Sequence, residues 1–323
     1  MLDEDLIEEV ETFFPYPIAV QVRRLGTQEY AQSSTKLLPG ILGVAERVVH
    51  FLAYTVLINI YEAAISKPLP LPKGLTSDFE LTLTRGISFG TLIRLLREGL
   101  RTFREEREAL FIQELYNVFF DHKGAFTETM ESFNNLVQIR NKVAHHAYSK
   151  IVSEITAICQ EAEKNLEHIL EEIMMLKKYE FLTINQIEVL KKRRKDPIYI
   201  HNFNRVRGHS DIFKVKREEL VEPMDSYIDS RMGGDLLSPV IVIRKKKDDR
   251  FLNLFPLIMY SNEGENNIPD VFFLSKMNRK KAEYNYICSN QGGQLTSSAT
   301  TFQPDISYEM DLFLKAIIGE ESS

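Results

Sequence analysis

One stretch limits what the rest of the chain can do. Residues 48–61, VVHFLAYTVLINIY, form the most apolar run, which contains His50 and is closed by Glu62. At 14 residues the run is short of the roughly 20 that a helix needs to cross a bilayer. A buried core helix is therefore expected, with the chain folded around it and no membrane partner. The Pro39-Gly40 pair predicts a turn that opens a helix over 36–66. Pro68, Pro70 and Pro72 end that helix and leave 67–78 as a loop.

The 323 residues allow one to three domains, most simply two. Amphipathic patterns continue over 88–121 and 127–148. A long charged helix is predicted over 150–179, with Ile151, Ile155, Ile158, Ala162, Leu166, Ile169 and Ile173 at helical spacing. Long helices with short connections imply a bundle. After Tyr179 the texture changes to short β-rich runs: Ile198–Phe203, Val240–Arg244, Phe251–Tyr260, Val271–Ser275 and Tyr284–Cys288. A last helix is expected over Ser307–Ile318. The expected class is α+β, with a lead-in segment over 1–35, a helical bundle over 36–180 and a β-rich domain over 181–323. The boundary falls between Lys178 and Pro197.

Cys159 and Cys288 are the only cysteines and form no CxxC pair. Two distant thiols suit a reducing cytosol, so a cytoplasmic protein is expected. The acidic start MLDEDLIEEV lacks the basic segment of a secretory signal. No spacing of metal ligands and no phosphate-binding glycine loop is present, so neither metal nor cofactor is expected.

The segment FNNLVQIRNKVAHHAYS, residues 133–149, carries the chemistry. On a helix, Phe133, Leu136, Val137, Val143, Ala144 and Ala147 share one face. Asn134, Gln138, Asn141 and His145 line a neighbouring strip. Arg140 projects from the middle of the apolar face. A guanidinium stays charged and is costly to bury alone, so Arg140 needs an anionic partner or a route to solvent. Glu46 is a candidate partner, and a phosphate in a crevice is another. Histidine suits proton transfer near neutral pH, and Asn141 stands one turn before His145. Arg140, Asn141 and His145 together make a metal-free phosphodiester site, with Arg140 stabilising phosphorane charge and His145 moving a proton.

Arg140-Asn141-Lys142-Val143-Ala144-His145 resembles the Arg-x4-6-His motif of the HEPN family. The resemblance covers roughly residues 36–180. It implies a helical bundle that dimerises and brings two motif copies into one cleft. It also implies a metal-independent endoribonuclease of the kind found in toxin–antitoxin, anti-phage and RNA-processing systems. Arg140 and His145 would be the catalytic pair and Asn141 the supporting polar residue. RNA and a protein antitoxin are then expected partners. Other members of the family are inactive binding or scaffolding modules. His146 lies about 100° further round the helix and is expected to be exposed. In the second half, FLNLFPLIMY, DVFFLSK and AEYNYICSNQG resemble a β-rich module attached to bacterial signalling proteins, which assigns no function by itself.

The net charge of −6 excludes a generally basic nucleic-acid coat but hides the local distribution. Arg94, Arg97, Arg101 and Arg104 recur at helical spacing as one basic stripe that can track phosphates. Glu98, Glu105 and Glu108 are interleaved with it, so a solvated, ion-paired face is the competing reading. From Lys177 to Arg217, twelve Lys and Arg stand against four acids. That segment includes Lys192, Arg193 and Arg194, with Tyr199, Phe203 and Phe213 placed to stack on bases. A ribonuclease with a recognition or regulatory C-terminal domain is the leading expectation. A non-catalytic binding protein and a nucleotide-binding sensor are the alternatives.

Overall fold

The computed structural model describes residues 2–27, 30, 34–66, 71–145, 154–206, 215–220, 239–246, 250–261, 270–290, 293–300 and 302–318. Of these, residues 66, 73, 144, 145, 185–187, 215–220, 279 and 299 are described by their backbone alone. The class is α+β, with helices first, antiparallel strands from Tyr179, and a closing helix.

Two short helices lead in, α1 (Glu4–Phe13) and α2 (Tyr16–Leu25). The 33-residue α3 (Ser34–Ser66) follows and occupies the centre. Every residue of the run 48–61 is buried. The span Ser34–Ile65 is long and apolar enough to cross a membrane by composition, yet 83% of its most apolar window is buried inside the protein. Its apolar surface is thus taken up by other elements of the chain.

The expected turn at Pro39-Gly40 is not there, because Pro39 lies inside α3. As the sixth residue of α3 it gives up one helical hydrogen bond, a cost that burial of the helix offsets. Gly40 instead permits close packing: a Cβ there would stand 2.6 Å from Leu25 Cδ2 and 2.8 Å from Tyr30 Cε1. The expected loop over 67–78 is also shortened. Helix α4 (Lys73–Arg85) begins directly after Pro72, its N-cap. Leu75, Phe79 and Leu83, one turn apart, are fully buried and hold it to the core. Gly74 and the threonines of α4 are weak helix formers, so tertiary burial overrides local preference here.

Helix α5 (Phe89–Thr102) starts at Ser88, whose hydroxyl accepts the Thr91 amide at 3.2 Å. Then come α6 (Glu114–Phe119), α7 (Glu128–His145) and α8 (Ile155–Glu172). Helices α2, α5 and α8 flank α3.

The first sheet contains β1 (Tyr179–Leu190), β2 (Ile198–Arg205), β3 (Val215–Leu220), β4 (Ile241–Lys245) and β5 (Phe251–Asn253). Its order is β3-β2-β1-β4-β5, all antiparallel. The second sheet holds β6 (Ile258–Ser261), β7 (Asp270–Asn278), β8 (Glu283–Cys288) and β9 (Gln294–Thr296), in that order. The five expected runs are strands, with Phe251–Tyr260 divided in two around Pro256. The central strand β1 was not expected. Its Thr183, Asn185, Gln186 and Glu188 give it a linker-like composition, and pairing on both sides supplies what propensity does not.

Phe181, Ile243 and Leu252 lie in register across β1, β4 and β5 and belong to the main core. The opposite face carries Leu182, Ile184, Phe203 and Val242 in a smaller cluster. On that face the buried Glu180 carboxylate bonds Arg244 at 2.5 Å and also Arg205. The main cluster runs from Leu2 to Ile317, so helices and strands share one core. The last helix, α9 (Gln303–Ile318), returns to α3 and α4. There the Phe313 ring lies 5.4 Å from both Tyr61 and Phe79.

The α3–α5 contact is close at Gly99, where a Cβ would meet Val56 Cγ1 at 2.8 Å. Val56 is buried and cannot swing away. Gly99→Val is therefore expected to destabilise the fold by about 1–3 kcal/mol despite better helix propensity. A urea titration checks this, and an unchanged midpoint would show that the two helices can separate at little cost.

Candidate functional site

Helix α7 presents the motif. Its buried stripe is Thr129, Met130, Ser132, Phe133, Leu136 and Ile139. Asn134, Gln138 and Asn141 are exposed, as the polar strip requires. Arg140 falls on the angle of the buried stripe, but its side chain is 41% exposed. The reason is depth along the helix rather than rotation about it. Arg140 lies in the next-to-last turn of α7, where the core thins to the partly buried Val143, so a guanidinium there has water on one side.

On its other side stands Glu46 of α3, with Oε2 3.9 Å from Arg140 Nε. Partial burial raises the Glu46 carboxyl above its ordinary range, and the guanidinium groups of Arg140 and Arg47 oppose that shift. A half-exposed pair at this separation contributes little stability, so it explains where Arg140 is held better than why it is there. His145 is the last residue of α7, one turn beyond Asn141, and is described by its backbone alone. His146, Ala147 and the rest of the segment to 149 lie outside the described residues.

Each arginine of the stripe on and after α5 has an acidic neighbour. Arg94 Nε is 3.2 Å from Asp78 of α4, and Arg97 and Arg101 share the Glu98 carboxylate at 2.8 and 3.0 Å. Arg104 stands 3.7 Å from Glu105. Arg101 also lies over the rings of Phe120 and Phe126, 5.7 Å from each. Lys192, Arg193 and Arg194 occupy the exposed connection between β1 and β2, with Arg194 at a left-handed φ of 64°. Arg205, from the same basic segment, is taken up by Glu180 inside the sheet. Phe203 is buried and stacks on Phe251 and His201 rather than facing solvent. Phe213 lies outside the described residues.

A second polar group, not expected above, lies between α3 and the second sheet. Arg47 Nη2 donates to the Cys288 carbonyl at 3.2 Å, and its guanidinium covers the Phe273 ring at 4.7 Å. The Cys288 thiol donates to Asp270 Oδ2 at 2.7 Å, and the Val271 amide donates to Asp270 Oδ1 at 2.6 Å. His50 packs edge-on to Tyr54, whose hydroxyl donates to the Leu274 carbonyl at 2.5 Å. Arg47 Nη1 and His50 Nε2 are buried with no hydrogen-bond partner among the described residues. Burial lowers the Arg47 guanidinium to about 10 and holds His50 well below its ordinary range. The available signal was the polar series Arg47, His50 and Tyr54 along one side of an apolar helix. Its partners Asp270 and Cys288 are more than 200 residues away and share no pattern with it.

Among the described residues no group of three or more His, Cys, Asp or Glu is placed to hold a metal ion. Comparison with protein-family models, curated proteins and solved structures finds no match for this chain.

Burial raises the Asp270 carboxyl, while the Cys288 thiol, the backbone amides and Arg47 hold it down less strongly. Asp270 thus binds its proton more tightly folded than unfolded. The stability this contributes is present at low pH and is lost as pH rises through the raised value. Asp270→Asn removes that loss. The unfolding free energy of the variant minus that of the natural protein is expected to rise from about pH 4 to about pH 7. Paired urea titrations measure it, and a difference that falls with pH would reverse the assignment.

Proposed function

We propose that the chain is a metal-independent endoribonuclease whose reaction is centred on Arg140, Asn141 and His145. The observation that supports this most is the position of Arg140. It is held beside Glu46, yet 41% of its side chain remains open to solvent, next to the exposed Asn141. That exposure leaves one side of the guanidinium accessible to a phosphate. The resemblance of Arg140–His145 to the HEPN motif supplies the class of reaction.

In this reading the RNA 2′-oxygen forms a bond to the adjacent phosphorus while the bond from phosphorus to the 5′-oxygen breaks. The 2′-hydroxyl loses one proton and the departing 5′-oxygen gains one, leaving a 2′,3′-cyclic phosphate and a 5′-hydroxyl. His145 moves a proton, and Arg140 carries the negative charge that builds on the phosphorane oxygens. Asn141 orients the group one turn away. The cationic Arg140 does the charge stabilisation that a metal performs elsewhere. A homodimer with facing α7 helices, an antitoxin partner, a role in toxin-like or anti-phage defence and a cytoplasmic setting belong to the same proposal. The β-rich half is assigned recognition or regulation, with the exposed Lys192–Arg194 connection available to RNA phosphates.

Arg140→Ala and His145→Ala are each expected to lower RNA cleavage by about a hundredfold or more, with EDTA without effect. Stability should fall by no more than about 1 kcal/mol for Arg140→Ala, because the pair with Glu46 is half exposed. Gel analysis of product ends and a thermal melt check both statements. Cleavage that persists in both variants, or that EDTA abolishes, rejects the mechanism. A large loss of stability with no cleavage in the natural protein favours a binding module instead.

A further inference from the structure

Arg140 and Glu46 face each other without satisfying each other. The 3.9 Å between Arg140 Nε and Glu46 Oε2 makes an ion pair but is too long for a hydrogen bond. Among the described residues neither side chain makes a hydrogen bond. The guanidinium therefore keeps its N–H donors, and the carboxylate its acceptor oxygens, for a ligand. Both groups are open to solvent, Arg140 at 41% and Glu46 at 33% of the side chain. Glu46 belongs to α3 and Arg140 to α7, so helix packing and not local sequence brings them together.

A ligand that answers both groups must carry an anion and a hydroxyl side by side. An anion without a donor is repelled by the carboxylate, and a hydroxyl alone leaves the guanidinium unanswered. RNA offers the pair at every nucleotide, as the 2′-hydroxyl next to the 3′-phosphate. DNA lacks the hydroxyl. The cleavage of RNA also needs two proton transfers, one from the 2′-hydroxyl and one to the 5′-oxygen. Within Arg140–His145 only His145 suits such a transfer, because an amide such as Asn141 and a guanidinium do not titrate near neutral pH. The His145 backbone lies about 7.5 Å further along α7 than that of Arg140, five residues at about 1.5 Å each. Glu46 and His145 thus belong to different helices, on either side of Arg140 in the series α3, Arg140, end of α7.

We propose that Glu46 is the general base of this reaction, taking the proton of the RNA 2′-hydroxyl while Arg140 holds the adjacent phosphate, which leaves His145 as the general acid. The inference rests on the ribonuclease reading and adds to it a catalytic residue outside the motif. The 2′-hydroxyl proton passes to the Glu46 carboxylate as the 2′-oxygen bonds to phosphorus. The His145 imidazolium gives its proton to the 5′-oxygen as the bond from phosphorus to that oxygen breaks. Glu46 ends protonated and His145 neutral, and exchange with water restores both. The charged groups that face Glu46 are Arg140 on α7 and Arg47 beside it on α3. Partial burial raises the Glu46 carboxyl above its ordinary range and so strengthens it as a base, while the two guanidinium groups favour its ionised form.

The test is the pH dependence of single-turnover cleavage of a saturating oligoribonucleotide. The natural protein is expected to give a bell, the rate rising as Glu46 loses its proton and falling as His145 loses its own. Glu46→Gln, nearly equal in size, should lower the maximal rate about a hundredfold or more and abolish the acidic limb while the alkaline limb stays. Glu46→Asp should keep an acidic limb, displaced from the natural one, at a rate about tenfold lower. A substrate with sulfur in place of the 5′-oxygen has a leaving group that needs no proton. It should restore cleavage by His145→Ala and not by Glu46→Gln. A lowered rate with the acidic limb intact overturns the proposal, because Glu46 then only holds Arg140. So does an unchanged rate in Glu46→Gln, its rescue by the sulfur substrate, or failure of that substrate to rescue His145→Ala. A thermal melt checks that each variant is folded. If Glu46→Gln is not, Glu46→Asp decides, and an acidic limb at the natural pH assigns that proton to another group. Loss of cleavage in Arg140→Ala and His145→Ala with a fully active Glu46→Gln leaves the ribonuclease reading standing without this base, whereas a natural protein that cuts no RNA removes both.

Discussion

The structure depends on burying one helix from every side. Burial of α3 is favourable wherever its surface is apolar, because leucine, isoleucine, valine and phenylalanine side chains leave water. It is unfavourable wherever α3 carries a charge or a hydrogen-bonding group. Asn59 answers the second demand by accepting the Phe111 amide at 2.5 Å and donating to the Ala109 carbonyl at 3.1 Å. Tyr54 answers it through Leu274 in the second sheet. Glu46 and Arg47, adjacent in sequence, look in different directions: one toward Arg140 on α7, the other toward Cys288 and Phe273. One turn of α3 therefore touches both the motif helix and the β-rich half. That is why residues from two textures of sequence share a core.

Helical elements were legible where burial and local preference agree. The apolar run, α7 and α8 follow from spacing, because each repeats its buried side chains every three or four residues, although the helix expected over 150–179 ends at Glu172 and gives way to a 3-10 turn and then β1. Agreement failed at α4 and β1. In α4 the three buried side chains sit among glycine and threonine, and in β1 the polar residues occupy a strand whose pairing on both sides is set by partners elsewhere. Pro39-Gly40 shows a further ambiguity. The same dipeptide suits a turn or a close helix crossing, and only the neighbour, Leu25, decides between them.

At the candidate site the sequence located the strip and named the acid. Angular position, chemistry and the pairing of Arg140 with Glu46 all follow from residue types on two helices. What it did not contain was depth. A helical wheel projects the axis away, so Arg140 at the rim and Phe133 in the core occupy the same angle. The basic residues show the same limit in charge rather than burial. Arg94, Arg97 and Arg101 are matched by acids from their own or a neighbouring helix, and Lys177, Lys178 and Lys245 by Glu9 and Glu114 from segments far away in the chain. No local count of charge registers such a convergence.

The return of α9 to the helices has a consequence for biosynthesis. Phe313 closes over Tyr61 and Phe79, which leave the ribosome some 230 to 250 residues earlier. Until then the end of α3 and the buried side of α4 lack their cover, and translation at roughly 5–20 residues per second leaves that surface bare for tens of seconds. The nascent chain is therefore exposed to chaperone capture or proteolysis through most of its own synthesis. Premature termination anywhere in the β-rich half would yield a helical region with an uncovered aromatic edge rather than a small finished domain.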